Sequence, residues 1–143
     1  MRRIVLNIYF AGSISGGRAF LRTYVDMVNY IKSTNHHVLT EHIIDPGVLD
    51  KEVAHTPKQI YERDMEWLKS CHCLVAEVSN PSLGVGYEIC SALDHQKPVL
   101  CLYKKGIFLS RMILGNTRPG LTVIAYENDL DWQNAIQTLI ENR

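Results

Sequence analysis

Short apolar runs alternate with longer amphipathic stretches along the whole chain. Residues 4–10 are β-branched and apolar and predict a first strand. Over residues 19–33 the apolar positions fall at Leu21, Tyr24, Val25, Val28 and Ile31, the stripe of an amphipathic helix, and Asn35 suits its C-terminal end. Residues 37–42 predict a second strand. Residues 43–55, with Pro46 and Gly47, predict a loop or an irregular helical turn. Thr56-Pro57-Lys58-Gln59 starts a helix: threonine caps, proline takes the first helical position, and glutamine closes a capping box. That helix runs to about Ser70. A third strand follows at residues 74–78, then a loop holding Gly84 and Gly86, then a helix that carries Glu88 in its first turn and ends near Gln96. Residues 98–103 and Leu121–Tyr126 predict strands four and five. A long connection between them has room for a short helix over residues 108–114. Asp129 or Asp131 caps a last helix striped by Trp132, Ile136, Leu139 and Ile140.

Strands alternating with helices, and strands too apolar for a wet face, imply a parallel sheet covered on both sides. Right-handed crossovers and five strands favour a flavodoxin-like, doubly wound α/β domain of order 2-1-3-4-5 with helices on both faces. At 143 residues the chain is read as one domain spanning 1–143. The switch point then lies between strands one and three, and the glycine loops 12–17 and 82–86 face each other across it. Lys+Arg and Asp+Glu balance at 15 each, which favours neither a nucleic-acid backbone nor an anionic membrane as partner. The start of the chain has a signal-like charge but only a short apolar run, and no run reaches membrane-spanning length. The expected location is the cytoplasm, and also the nucleus in a eukaryote. Cys71, Cys73, Cys90 and Cys101 lie in or beside predicted core elements, so reduced, inert thiols are expected. His72 between Cys71 and Cys73 does not make a metal site, because neighbours on a strand point to opposite faces. No metal or cofactor is expected.

Two carboxylates carry the candidate chemistry. Glu88 follows a strand-to-helix corner at the carboxyl edge of the sheet, where ligands bind. The alternative is a glutamate that only complements a helix dipole. Asp64 lies four residues after Ile60, three before Trp67 and four before Leu68, on the helix face that should be buried. A buried carboxylate needs a partner or a function. The loop with Gly12, Ser13, Ser15, Gly16, Gly17 and Arg18 is neither a dinucleotide fingerprint nor a P-loop. It still offers amides, hydroxyls and a charge to a phosphate, or it is an anion-free turn. Two carboxylates beside a phosphate site suggest glycosidic-bond chemistry, one at the anomeric carbon and the other managing protons or the sugar. Tyr9 is placed to touch the sugar or to pack in the core. His42 is placed to meet a base or to sit exposed in a loop.

These pieces together resemble the 2'-deoxynucleoside 5'-phosphate N-hydrolases of the nucleoside 2-deoxyribosyltransferase superfamily. The resemblance rests on residues 9–18, 39–42, 64–68, 76–78 and, most specifically, Pro81-Ser82-Leu83-Gly84-Val85-Gly86-Tyr87-Glu88. It implies hydrolysis of a deoxynucleoside monophosphate to a free base and 2-deoxyribose 5-phosphate, with retention. Glu88 matches the nucleophile that forms a covalent intermediate, and Asp64 the second carboxylate. Gly12, Ser13, Ile14, Ser15, Gly16, Gly17, Arg18, Ser82 and Gly84 match substrate and phosphate contacts. Tyr9 and His42 match sugar-side and base-side positions. The segment holding Ser110 and Met112 resembles one that reaches the neighbouring active site, which implies a homodimer. Ser15 stands where relatives often carry an arginine, so one phosphate-facing charge is missing. The rival activities are base exchange by a deoxyribosyltransferase and non-catalytic nucleotide binding.

Overall fold

The computed structural model describes residues 4–14 and 16–142. Five parallel strands form one sheet in the order β2-β1-β3-β4-β5, as the alternating pattern predicts. The strands are β1 (Asn7–Ala11), β2 (His37–Val38), β3 (Cys73–Glu77), β4 (Val99–Lys104) and β5 (Leu121–Tyr126). The helices are α1 (Leu21–Ser33), α2 (Val48–Val53), α3 (Pro57–Ser70), α4 (Leu83–Asp94), α5 (Arg111–Leu114) and α6 (Asp129–Glu141). A 3-10 turn at Glu41–Ile44 precedes α2. None of the described helices is long and apolar enough to cross a membrane.

The period of two along β1 decides where the site can be. Ile8 and Phe10 point into one core, with Tyr24, Met27 and Ile31 of α1 and with Trp132 and Ile136 of α6. Tyr9 and Ala11 point into the other, with Leu68 of α3 and with Val85 and Ile89 of α4. Tyr9 therefore shares a face with the two helices that carry Asp64 and Glu88.

Four local readings need correction. The second strand stops at Val38, because the Thr40 side chain replaces its ladder. Thr40 Oγ1 accepts from Phe10 N at 3.0 Å and donates to Phe10 O at 2.6 Å. The α4 helix begins at Leu83, capped by Ser82 Oγ accepting from Val85 N. Gly84 and Gly86 are therefore helical, and Glu88 lies in the second turn rather than the first. The last helix is capped by Asn128 in a capping box with Asp131, not by an aspartate. Of the four cysteines, Cys90 is exposed on α4 while Cys71, Cys73 and Cys101 are buried. The predicted start of α3 and the left-handed Asn35 after α1 (φ 66°) stand as read.

Candidate active site

At the switch point the loops after β1 and β3 meet. Asn80 Nδ2 donates to the carbonyls of Gly16 (3.3 Å) and Gly17 (3.0 Å), tying the loop after β3 to the loop after β1. The approach is so close that a Cβ on Gly16 would stand 2.6 Å from Pro81 O and 2.8 Å from Ser13 Oγ. This is a position where only glycine fits. Beside the joined loops opens a cavity of about 840 Å³, large enough for a nucleotide. Gly12, Ile14, Ser82 and Gly84 line its loop end, with Glu88 and Asp64 on its wall. Gly84 precedes Glu88 by one helical turn, and its missing side chain leaves room against the carboxylate: a Cβ there would lie 3.8 Å from Glu88 Oε1.

Burial raises the Glu88 carboxyl from its ordinary range to about 7. The Tyr9 hydroxyl hydrogen-bonds it and opposes that rise, while the nearby Asp64 charge adds to it. Tyr9 is itself buried, and its phenol is pushed upward by burial and by both carboxylates, so it stays a proton donor. Burial also raises Asp64, against an ion pair with Arg63. Arg63 Nε and Nη2 both lie 2.9 Å from Asp64 Oδ1. The same Nη2 reaches Glu52 Oε1 at 2.9 Å. The guanidinium stacks 5.0 Å from the centre of the Trp67 ring.

The expected residues do not all converge on this cavity. Glu88, Asp64, Gly12, Ile14, Ser82 and Gly84 line it, and Tyr9 supports Glu88 from behind. His42 is set back, its ring against Trp67 (5.5 Å between centroids) and its Nε2 3.5 Å from Glu52 Oε1. Burial, then Arg63, lowers the pKa of that imidazole, favouring its neutral form. The Arg18 guanidinium is turned onto backbone carbonyls of Ser13 (3.0 Å), Ile43 and Asp45, so it braces the loop and does not reach into the cavity. Ser13 is fully buried, and its Oγ has no hydrogen-bond partner among the described residues. Gly17 turns the loop with φ 119°. Ser15 lies outside the described residues. Gly16, Ser110 and Met112 border a second hollow of about 820 Å³ on the other side of the residue 80–86 segment. Ser82, Gly84 and Val85 line both hollows.

Sequence reasoning did not find Glu52 or Arg63. Arg63 left one signal, an i, i+4 spacing to Trp67 that suits cation–π stacking on a helix. Glu52 left none, because its place depends on how the short α2 follows the 3-10 turn and brings Glu52 to Arg63 of α3.

The model of the nucleoside 2-deoxyribosyltransferase family matches residues 8–131. A protein of Methanococcoides burtonii, provisionally named 2'-deoxynucleoside 5'-phosphate N-hydrolase 1, is 43% identical over 118 residues, covering 82% of this chain and 97% of that protein. The 5-hydroxymethyl-dUMP N-hydrolase of Danio rerio is 39% identical over 140 residues, covering 95% of this chain and 96% of the fish protein. A solved CMP N-glycosidase from Clostridium botulinum shares the fold, with a TM-score of 0.69 at 16% identity over 92% of this chain and 98% of its own.

Proposed function

This chain belongs to the nucleoside 2-deoxyribosyltransferase family, and from that premise we propose that it hydrolyses the N-glycosidic bond of 2'-deoxynucleoside 5'-monophosphates. The products are a free base and 2-deoxyribose 5-phosphate. Relatives named as N-hydrolases of such nucleotides support the reading. The observation that carries it is the meeting of Glu88 and Asp64 in one cavity whose other end is a glycine loop beside the N-terminus of α4.

The phosphate belongs at that loop end. The positive end of the α4 dipole attracts an anion there, while Glu88, Asp64 and Glu52 repel one from the far wall. The anomeric carbon then comes to rest at Glu88. An ionised Glu88 oxygen attacks C1' as the bond from C1' to the base nitrogen breaks, and its electron pair leaves with the base, which takes up a proton. Water next attacks C1' of the glycosyl–Glu88 ester, gives up a proton to Asp64 or to solvent, releases the carboxylate and restores the original anomeric configuration. Tyr9 aims Glu88 and stabilises its ionised form by hydrogen bonding. Asp64, anchored by Arg63, holds the sugar hydroxyl or helps protonate the leaving base. Ser110 and Met112 serve the cavity of the neighbouring subunit in a homodimer, consistent with their absence from their own chain's cavity.

Incubation of a deoxynucleoside monophosphate with the protein, with and without a second free base, tests the reading. Free base and sugar phosphate in both cases support hydrolysis. A new nucleotide formed only with the second base would show base exchange instead. Glu88→Ala is expected to bind nucleotide without releasing base.

A further inference from the structure

The cavity wall opposite the phosphate end carries Leu49, Val53, Pro57 and Ile60, with His55 and Tyr61 beside them and one carboxylate set among them, Glu52 of α2. We propose that Glu52 is the specificity-determining residue for the base, and that it selects bases carrying an exocyclic amino group on the edge remote from the sugar. The proposal rests on the nucleotide N-hydrolase reading and names the part of that substrate which the reading leaves open.

The geometry constrains Glu52 tightly. Its side chain is only 14% exposed. Oε1 is fixed by Arg63 Nη2 at 2.9 Å and backed by His42 Nε2 at 3.5 Å. Oε2 accepts from no group among the described residues. Arg63 is in turn held by Asp64 and by the Trp67 ring, so the carboxylate cannot swing away without breaking several contacts. His42, the residue expected on the base side, stands behind Glu52 and does not line the cavity. With phosphate on the glycine loop and the anomeric carbon at Glu88, the base extends past Asp64 toward this wall. A charged group held rigidly among apolar residues fixes ligand orientation. Oε2 can only accept. An amino group facing it gains a charge-assisted hydrogen bond, whereas a carbonyl at the same position meets an oxygen, and only the neighbouring ring N–H, off that line, can donate.

Substrate pairs that exchange amino for carbonyl, dCMP against dUMP and dAMP against dIMP, read the effect, and comparison of each pair's ratio between wild type and Glu52→Gln cancels the difference in leaving group. For the wild-type protein, kcat/KM is expected to favour the amino member of each pair by about tenfold or more. In Glu52→Gln, whose amide can also donate, that ratio is expected to fall to within about threefold, since the amide serves both edges. The ratio is read on one sample, so a partly unfolded variant does not confound it. A wild-type ratio near one, or an unchanged ratio in Glu52→Gln, overturns the proposal. If the wild type releases base from none of the four, nor from dGMP, dTMP or 5-hydroxymethyl-dUMP, the N-hydrolase reading fails separately. The selectivity is then read from equilibrium binding of the same pairs to wild type and Glu52→Gln, where an equal Kd for both members of each pair overturns it.

Discussion

A carboxyl group cut off from water keeps its proton to higher pH, and Glu88 is poised by that effect at about 7. A nucleophile must be ionised, so kcat/KM is expected to rise with pH through about 7 and then level off; a pH–rate profile measures it. Tyr9→Phe removes the hydrogen bond that opposes burial, so the midpoint should move up by about one unit. An unmoved midpoint would mean that the phenol does not touch the carboxylate. The same shift has a cost in stability. The folded-state pKa lies above the unfolded value of 4.5, so the fold binds the extra proton between them and loses stability as pH rises from about 4.5 to about 7. Glu88→Gln is never ionised and should be more stable than wild type at pH 8 by up to about 3 kcal/mol, read by urea denaturation at pH 5 and pH 8. Glu88 and Asp64 were legible in the sequence because a carboxylate on an apolar helix face, or after a strand at a sheet's carboxyl edge, stands out against its neighbours. Glu52 was not legible: α2 is six residues long with Leu49 and Val53 exposed, and nothing periodic announces which way it faces.

Between the strands and helices, junctions matter more than interiors. The β2 strand yields to a side chain: Thr40 makes both bonds that two residues of a continued parallel strand would make to Phe10. Thr40→Val keeps the shape and strands a buried amide and carbonyl, so it should cost about 1–3 kcal/mol in chemical denaturation. At the site, Gly16 lets the two loops touch. Gly16→Ala drives a methyl group into the Pro81 carbonyl and should push the loops apart. The expected result is a KM raised roughly tenfold with helix content unchanged by circular dichroism. A normal KM would separate the loop contact from substrate binding. The start of α3 was readable because its capping box is written in four consecutive residues. The start of α4 was not, because two glycines after Ser82 read as a loop, while the Ser82 cap and packing of Val85 and Ile89 make them helical. Strand order was readable because crossover handedness leaves few alternatives for five parallel strands.

For the whole molecule, the second hollow bears on the proposed homodimer. Leu83, Phe108 and Met112 are 97%, 77% and 82% exposed around it, an apolar surface suited to a partner. A homodimer that shares its sites predicts complementation. Glu88→Ala and Ser110→Ala proteins, each impaired alone, should regain about a quarter of wild-type activity when mixed and allowed to exchange subunits, since half the dimers then hold one intact site. No recovery, with exchange verified, would make each site self-contained. Such an arrangement is invisible to periodicity, which reports what a residue buries and not whose residue buries it. The central claim remains that the Glu88–Asp64 cavity breaks the bond between a base and a deoxyribose phosphate. The most direct measurement is chromatographic detection of free base from a mixture of the deoxynucleoside monophosphates, with wild type and Glu88→Ala side by side. Base release that falls by roughly 10³-fold or more in the variant is the predicted result; base release that persists in Glu88→Ala, or is absent from the wild type, would contradict it.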